Sequence, residues 1–219
     1  MDDRLARVMW IGGSPCSGKS SIADRLATAF GLDVYCCDEA YERHRIQLDP
    51  ALQPVFARLA ESGCDDVWMR PVQQQISEEL ELYREEFPMI LADILAHPML
   101  DREVAHGGPG IIAEGAALLP ELVDGLEPNP SRVIWIFPIE AFQREHYARR
   151  GWRHDVLRTC TDPAVAWENW MARDAGFARA AAADAAASGY RVVWVDGSRS
   201  LDQMAGLVAE HFRLRVAAE

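Results

Sequence analysis
Apolar residues along this chain follow two rhythms. Short runs in which nearly every position is apolar predict strands buried on both faces. Longer stretches with apolar residues three and four apart predict helices. Residues 6–12 form the first short run. A loop rich in Gly and Ser follows, then residues 20–30, where Ile22, Leu26 and Phe30 mark one helix face. Residues 32–37 predict the second strand, which feeds a helix from Asp38, with Asp38 a candidate helix cap. Residues 51–97 read as helical, divided by Pro50 and Pro71. The stretch 72–96 carries Ile76, Leu80, Tyr83, Phe87, Ile90 and Ile94 at helical spacing and a kink at Pro88. A turn is predicted at 107–110 and a third strand at 111–113, ending in Glu114-Gly115. The remaining pattern gives a strand at 132–137, a helix at 139–150, a loose Arg-rich region and a long helix at 162–188. A strand at 190–195, a turn at 196–198 and a helix at 201–212 complete it. Strands alternating with long amphipathic helices predict an α/β fold, a parallel sheet covered on both faces.

Ligands of such folds collect beyond the carboxyl ends of the strands. Gly13, Asp38, Glu114 and Asp196 each follow a strand end, so the pattern puts them on one rim. The first of these opens Gly13-Ser14-Pro15-Cys16-Ser17-Gly18-Lys19-Ser20, which fits G-x-x-x-x-G-K-[ST]. Strand, loop, helix is the setting in which this pattern binds phosphate. Gly13 and Gly18 let the backbone wrap an anion closely, and the N–H groups of the following helix point at it. Lys19 is expected to reach the β- and γ-phosphates and the Ser20 hydroxyl to hold Mg²⁺, with Ser21 also at the nucleotide. Of the 22 basic residues in the sequence, Lys19 is the single lysine. Cys16, at a helix N-terminus, has no histidine near it in sequence and is not expected to be a nucleophile.

Transfer of phosphate to an alcohol needs a group that orients the hydroxyl and takes its proton. Asp38 is the candidate base, with Glu39 a neighbouring alternative. Glu114 can serve Mg²⁺ or the acceptor, and Gly115 lets the chain pass close to the ligand. Asp38, Tyr41, Glu114 and Gly115 are the predicted acceptor-binding residues, and Ser20 and Glu114 the predicted metal ligands. Arg144, Arg149, Arg150, Arg153 and Arg158 make residues 144–161 the most basic segment, a candidate lid. Guanidinium forks stabilise the charge that spreads over the transferring phosphoryl group. Arg149 and Arg153 are assigned to catalysis and Arg150 to the nucleotide, on the expectation that at least one of the three is functional. His146 and His154 read as surface or supporting residues, and Trp167 and Trp170 as helix packing.

Composition narrows the reading. The 219 residues suit one domain with a helical insert at about 38–97, and 49% hydrophobic residues can fill its core. A formal charge of −12 disfavours a nucleic-acid partner. The five cysteines are odd in number and lack metal-ligand spacing. With no signal peptide and no apolar run near 18 residues, they predict a reduced, cytoplasmic protein with no membrane partner, as a monomer or homodimer.

The chain resembles the P-loop kinases of small molecules, the group that holds nucleoside monophosphate, gluconate and shikimate kinases and the chloramphenicol phosphotransferase type. The resemblance spans nearly the whole chain and rests on residues 13–20, Asp38, Glu114-Gly115, the arginines of 144–158 and Asp196-Gly197-Ser198. It implies a P-loop NTPase fold with a five-stranded parallel sheet in the order 2-3-1-4-5. It also implies ATP and Mg²⁺ as cofactors, an acid at Asp38 on the acceptor hydroxyl, and Gly197 and Ser198 against the adenine. One departure stands out. Residues 51–97 hold only Arg58, Arg70 and Arg84, amid acids clustered around residues 78–86, a poor neighbourhood for an acceptor phosphate. An uncharged or cationic small molecule, such as a sugar or an antibiotic, fits better. The expected activity is ATP-dependent phosphorylation of an alcohol. A nucleoside or nucleotide kinase, and an ATP-binding regulatory module without transfer, are the alternatives.

Overall fold
The computed structural model describes residues 2–101 and 110–214; the turn predicted at 107–110 lies, except for Gly110, outside them. Five strands form one parallel sheet: β1 (Val8–Gly13), β2 (Asp33–Cys36), β3 (Ile111–Gly115), β4 (Val133–Pro138) and β5 (Arg191–Val195). Their order is β2-β3-β1-β4-β5, as the resemblance implied. Registers such as Ile11↔Glu114, Gly13↔Ile136 and Pro138↔Val195 bring the carboxyl ends of the strands level along one rim.

The strands bury alternate residues on opposite faces. Val8, Trp10, Ala113, Trp135 and Phe137 join one core with Phe87, Ile90 and Phe177. Met9, Ile11, Ile112, Ile134 and Ile136 join the other with Ile22, Leu26 and Val208. This is why the central runs are apolar at every position rather than at every second one.

Helix α1 (Lys19–Phe30) follows β1 and stops at Gly31, whose φ of 65° is left-handed. Helix α2 (Cys37–Gln47) leaves the end of β2, and the block that follows contains α3 (Pro54–Glu61), α4 (Cys64–Trp68), α5 (Val72–Leu95) and α6 (Pro98–Asp101). Helix α5 continues through Pro88. After β3 come α7 (Pro120–Asp124) and, beyond β4, α8 (Glu140–Ala148). The Arg-rich region predicted as loose contains a short helix, α9 (Arg153–Leu157). Helix α10 (Pro163–Ala187) starts where the Asp162 carboxylate accepts from the N–H groups of Ala164 and Val165. Helix α11 (Leu201–His211) starts at a capping box of Ser200 and Gln203.

Two sequence readings change. Asp38 is not the cap of α2: Cys36 holds that position, without a side-chain bond, and Asp38 lies inside the first turn. Cys64 and Cys160 are joined in a disulfide across 96 residues, so the reading of all five cysteines as reduced does not stand. Cysteine usage therefore no longer supports the cytoplasmic assignment. Among the described residues, no helix is long and apolar enough to cross a membrane.

Candidate active site
The loop between β1 and α1 is shaped by three left-handed or close-packed positions. Gly13 has φ 136°, and a Cβ there would lie 1.9 Å from the carbonyl oxygen of Ile136. Gly18 takes φ 83° as the N-cap of α1 and offers no side chain to its amides. Cys16 adopts φ 64° without being glycine. Its thiol is raised to about 11, mainly by burial, which leaves no thiolate for nucleophilic work.

Lys19 is 8% exposed, and its Nζ donates to the Ser14 carbonyl at 3.0 Å, across the loop. Ser14 and Ser17 are buried with hydroxyls that have no protein partner. Buried, unpaired hydroxyls beside an ammonium and an uncapped helix N-terminus suit an anion. The loop residues therefore fit a bound triphosphate. Ser20 and Ser21 are exposed at the start of α1.

A cavity of 410 Å³ adjoins the loop, reaching from Cys16, Ser17, Gly18 and Ser21 to α8 and the loop after β5. Phe142 and His146, one turn apart on α8, stack with ring centroids 4.0 Å apart and form one wall. Gly197, with φ 87°, lies against Phe142, where a Cβ would be 3.2 Å from the ring. Ser198 is exposed beside it, its amide bonded to Asp196 Oδ1 at 2.9 Å. Arg150 and Arg199 supply two cations and Leu201 and Met204 an apolar surface. An aromatic and apolar slot with cations beside a phosphate loop suits a purine nucleotide. Sequence reading missed Phe142 and Arg199 here and gave His146 only as a surface or supporting residue. The signal was the i, i+4 spacing of two ring side chains on the helix after β4.

On the other side of the rim lie two smaller cavities, of 300 and 200 Å³, which share Tyr41, Glu79 and Leu82. Asp38 lines the larger one with Tyr83, Glu86 and Ala117. Tyr41 stacks on Phe56 at 5.0 Å, and burial pushes its hydroxyl up to about 12. Glu114 is 1% exposed, within β3 rather than on a solvent-facing loop, and its Oε1 is buried without a partner. Burial, helped by a hydrogen bond to Glu114, raises the neighbouring Cys36 thiol to about 12. Gly115 allows α2 to close on β3, since a Cβ there would lie 2.5 Å from that of Cys37.

Among the described residues, no three His, Cys, Asp or Glu side chains cluster as a metal site. Mg²⁺ needs no such cluster; one or two protein oxygens and the phosphates suffice. The exposed Ser20 hydroxyl and the unpaired Glu114 oxygen are compatible with that role.

The arginines separate. Arg150 reaches the 410 Å³ cavity with its guanidinium 5.1 Å from the Tyr147 ring centroid. Arg149 is largely exposed and paired with Glu145, four residues earlier. Arg153 lies over Trp167 at 4.7 Å with Nε unpaired, and neither it nor Arg149 lines a cavity described above. Arg144 is tied to Glu140 and Glu168. Arg173 is buried between Glu79 at 2.9 Å and Asp174 at 2.6 Å. Burial alone would lower its pKa, but the two carboxylates raise it. Trp170 is buried with Trp68, Tyr147 and Leu157 in a cluster that joins α4, α8, α9 and α10, with Trp167 packed against it. A groove of 520 Å³ between α1 and α11 is larger than any of these cavities. It contains no loop residue and is mostly apolar, so the chemistry-bearing side chains converge elsewhere.

No protein-family model matches the chain, and no curated protein does. Solved structures do. Shikimate kinase from Acinetobacter baumannii, in complex with shikimate, matches at 12% identity over 93% of this chain and 91% of that one, with a TM-score of 0.50. A gluconokinase from Sinorhizobium meliloti 1021 matches at 15% identity over 96% and 93%, with a TM-score of 0.40. Shikimate kinase from Aquifex aeolicus matches at 15% identity over 94% and 96%, with a TM-score of 0.39. At identities this low the likeness is one of fold, carried by the first of the three. The chain has a P-loop small-molecule kinase-like fold, and the acceptor is not specified by it.

Proposed function
We propose that this protein is an ATP-dependent phosphotransferase that moves the γ-phosphoryl group to an alcohol of a small molecule. One observation supports this above the rest. The loop that fits a triphosphate stands on the same rim as a cavity lined by an acid, Asp38, that is free of any capping role.

MgATP, when bound, supplies the phosphoryl group and the divalent charge. Lys19, the loop amides and the Ser14 and Ser17 hydroxyls hold the phosphates, and Ser20 and Glu114 serve the metal. Phe142, His146, Gly197 and Ser198 hold the base, and Arg150 neutralises phosphate charge. Asp38 orients the acceptor hydroxyl and takes its proton as the new oxygen–phosphorus bond forms and the bond to the departing diphosphate breaks. Tyr41 and Tyr83 limit water at the reacting oxygen. Residues 144–161 act as the lid, with Arg149 and Arg153 moving to the phosphates when it closes. The insert at 38–97 holds the acceptor, in one domain with the loop.

The test is acceptor-dependent release of ADP across a panel of sugars, nucleosides and hydroxylated antibiotics. Asp38→Asn is expected to lower the transfer rate by at least about 100-fold while nucleotide affinity is unchanged. Unaltered turnover in that variant removes Asp38 as the base. Only slow hydrolysis across the whole panel removes the phosphotransferase reading.

A further inference from the structure
The paired cavities beside Asp38 have a one-sided hydrogen-bonding character. Their cations are held by carboxylates, though Arg70 Nε is buried without a partner. Arg70 donates to Glu78 at 2.7 Å, and Arg58 approaches the same carboxylate at 2.8 Å. Arg173 is held by Glu79 and Asp174, with its guanidinium 4.6 Å from the Trp68 ring centroid. The Tyr83 hydroxyl donates to Glu79 at 2.7 Å. What these groups leave on the walls is mainly acceptor capacity. Four carboxylates line the two cavities: Glu78 is paired with Arg58 and Arg70, Glu79 with Arg173 and Glu86 with His44, which leaves Asp38, among the described residues, without a counter-charge.

Gln75 adds an independent observation. It lines the smaller cavity and is 3% exposed. Its Nε2 donates to the carbonyls of Trp68 at 3.2 Å and Arg70 at 2.8 Å. Two carbonyl acceptors fix which end of the amide carries nitrogen, because a flipped amide would set oxygen against oxygen. Oε1 is therefore an oxygen by necessity, and it is buried with no partner. A buried acceptor without a donor calls for an N–H or O–H from something that enters the cavity.

We propose that the phosphate acceptor is an amine-bearing polyol, an amino sugar or aminocyclitol, whose ammonium and hydroxyl groups donate to Gln75, Glu79 and Glu86 while one hydroxyl faces Asp38. The inference rests on the phosphotransferase reading for the fate of that hydroxyl, but not for what binds. A carboxylate-bearing polyol would meet four carboxylates, beside which three arginines are already in ion pairs. A neutral polyol would satisfy Gln75 but leave Asp38 without a counter-charge. Tyr41 and Tyr83, which line the larger cavity, add apolar ring surface for a saturated ring.

Three probes of similar size separate these cases: glucosamine, glucose and gluconate, titrated calorimetrically into the MgADP-loaded protein. Glucosamine is expected to bind at least about tenfold more tightly than glucose, with gluconate weakest. Glu79→Gln is expected to narrow the glucosamine-to-glucose ratio by about tenfold. If that variant does not fold, the wild-type ranking decides by itself. Equal binding of glucosamine and glucose, no binding of glucosamine, or a preference for gluconate overturns the proposal. ADP release measured with the same probes keeps the two readings apart. Selective glucosamine binding without acceptor-dependent ADP sustains the pocket chemistry and removes the phosphotransferase. Preferred turnover of gluconate does the reverse.

Discussion
A histidine buried between two carboxylates has its charge tied to the fold. His44 is nearly inaccessible, with Nδ1 2.8 Å from Glu86 Oε1 and Nε2 3.2 Å from Asp93 Oδ2. Arg43 and the Tyr35 hydroxyl also reach Asp93 Oδ2. Burial alone would lower the pKa of His44, but hydrogen bonds and charge from Glu86 and Asp93 raise it above 6.5. Burial also raises Glu86 above 4.5, against the pull of His44. Asp93, despite its own burial, is held below 3.8 by Arg43 and His44 and stays ionised over this range. Both raised groups hold more protons in the native state than in the unfolded chain, so both lose stabilisation as pH climbs. The His44 contribution is complete below pH 6.5 and disappears as pH passes its raised value. The melting temperature is expected to fall as pH is raised above 6.5, and His44→Gln to flatten that slope. An equal slope in the variant removes the histidine as its source. Glu86 also lines the cavity proposed for the acceptor, so the same proton sets part of its charge.

Helix α4 shows how an element too short to stand alone is held. Five residues do not make a stable helix by propensity. The disulfide from Cys64 fastens α4 to Cys160, just before α10. Asp65 accepts from the amide of Thr161 at 2.7 Å and also from its hydroxyl. Asn169 of α10 donates to the Trp68 carbonyl at 2.8 Å, and the Trp68 and Trp170 rings lie 4.7 Å apart. Because Trp68 also fixes Gln75, the shape of the proposed acceptor cavity depends on the anchoring of α4. A bond across 96 residues removes a large share of the freedom of the unfolded chain. The paired variant Cys64→Ser, Cys160→Ser is expected to lose about 2–4 kcal/mol of stability. Calorimetry with and without reductant reads this directly; identical melting of the oxidised and serine forms removes the cross-link as a stabiliser.

At the scale of the molecule, what was legible in the sequence is what depends on neighbours along the chain. Apolar runs gave five strands, and the Gly, Gly, Lys, Ser spacing placed Gly13 to Ser20 at the end of the first. The same pattern put Asp38 and Glu114 directly after strand ends, whereas β2 stops at Cys36 and Glu114 lies inside β3. Pairings between distant elements were not legible. Nothing in the spacing of Cys64 and Cys160, or of His44 and Glu86, announces that α4 meets the start of α10 or that α2 meets α5. The proposed acceptor cavity is made of such pairings, which is why the acids of 78–86 were legible as a cluster near the acceptor, while Gln75 and the walls that Glu79 and Glu86 share with it emerged only from the folded chain. The capping reading of Asp38 failed for a related reason: the helix starts one residue earlier than its acids suggest, at Cys37. One property of composition returns at this scale with a practical meaning. Lysine occurs once in 219 residues, and that residue is buried across the phosphate loop. Protein grown with isotope-enriched lysine therefore carries its label at a single point. Its spectrum is expected to contain one set of lysine side-chain signals, which shifts on titration with MgADP; signals that stay still under saturating nucleotide would place the binding elsewhere. The chain thus comes with a built-in reporter, needing no engineered probe, at the atom on which nucleotide binding is proposed to converge.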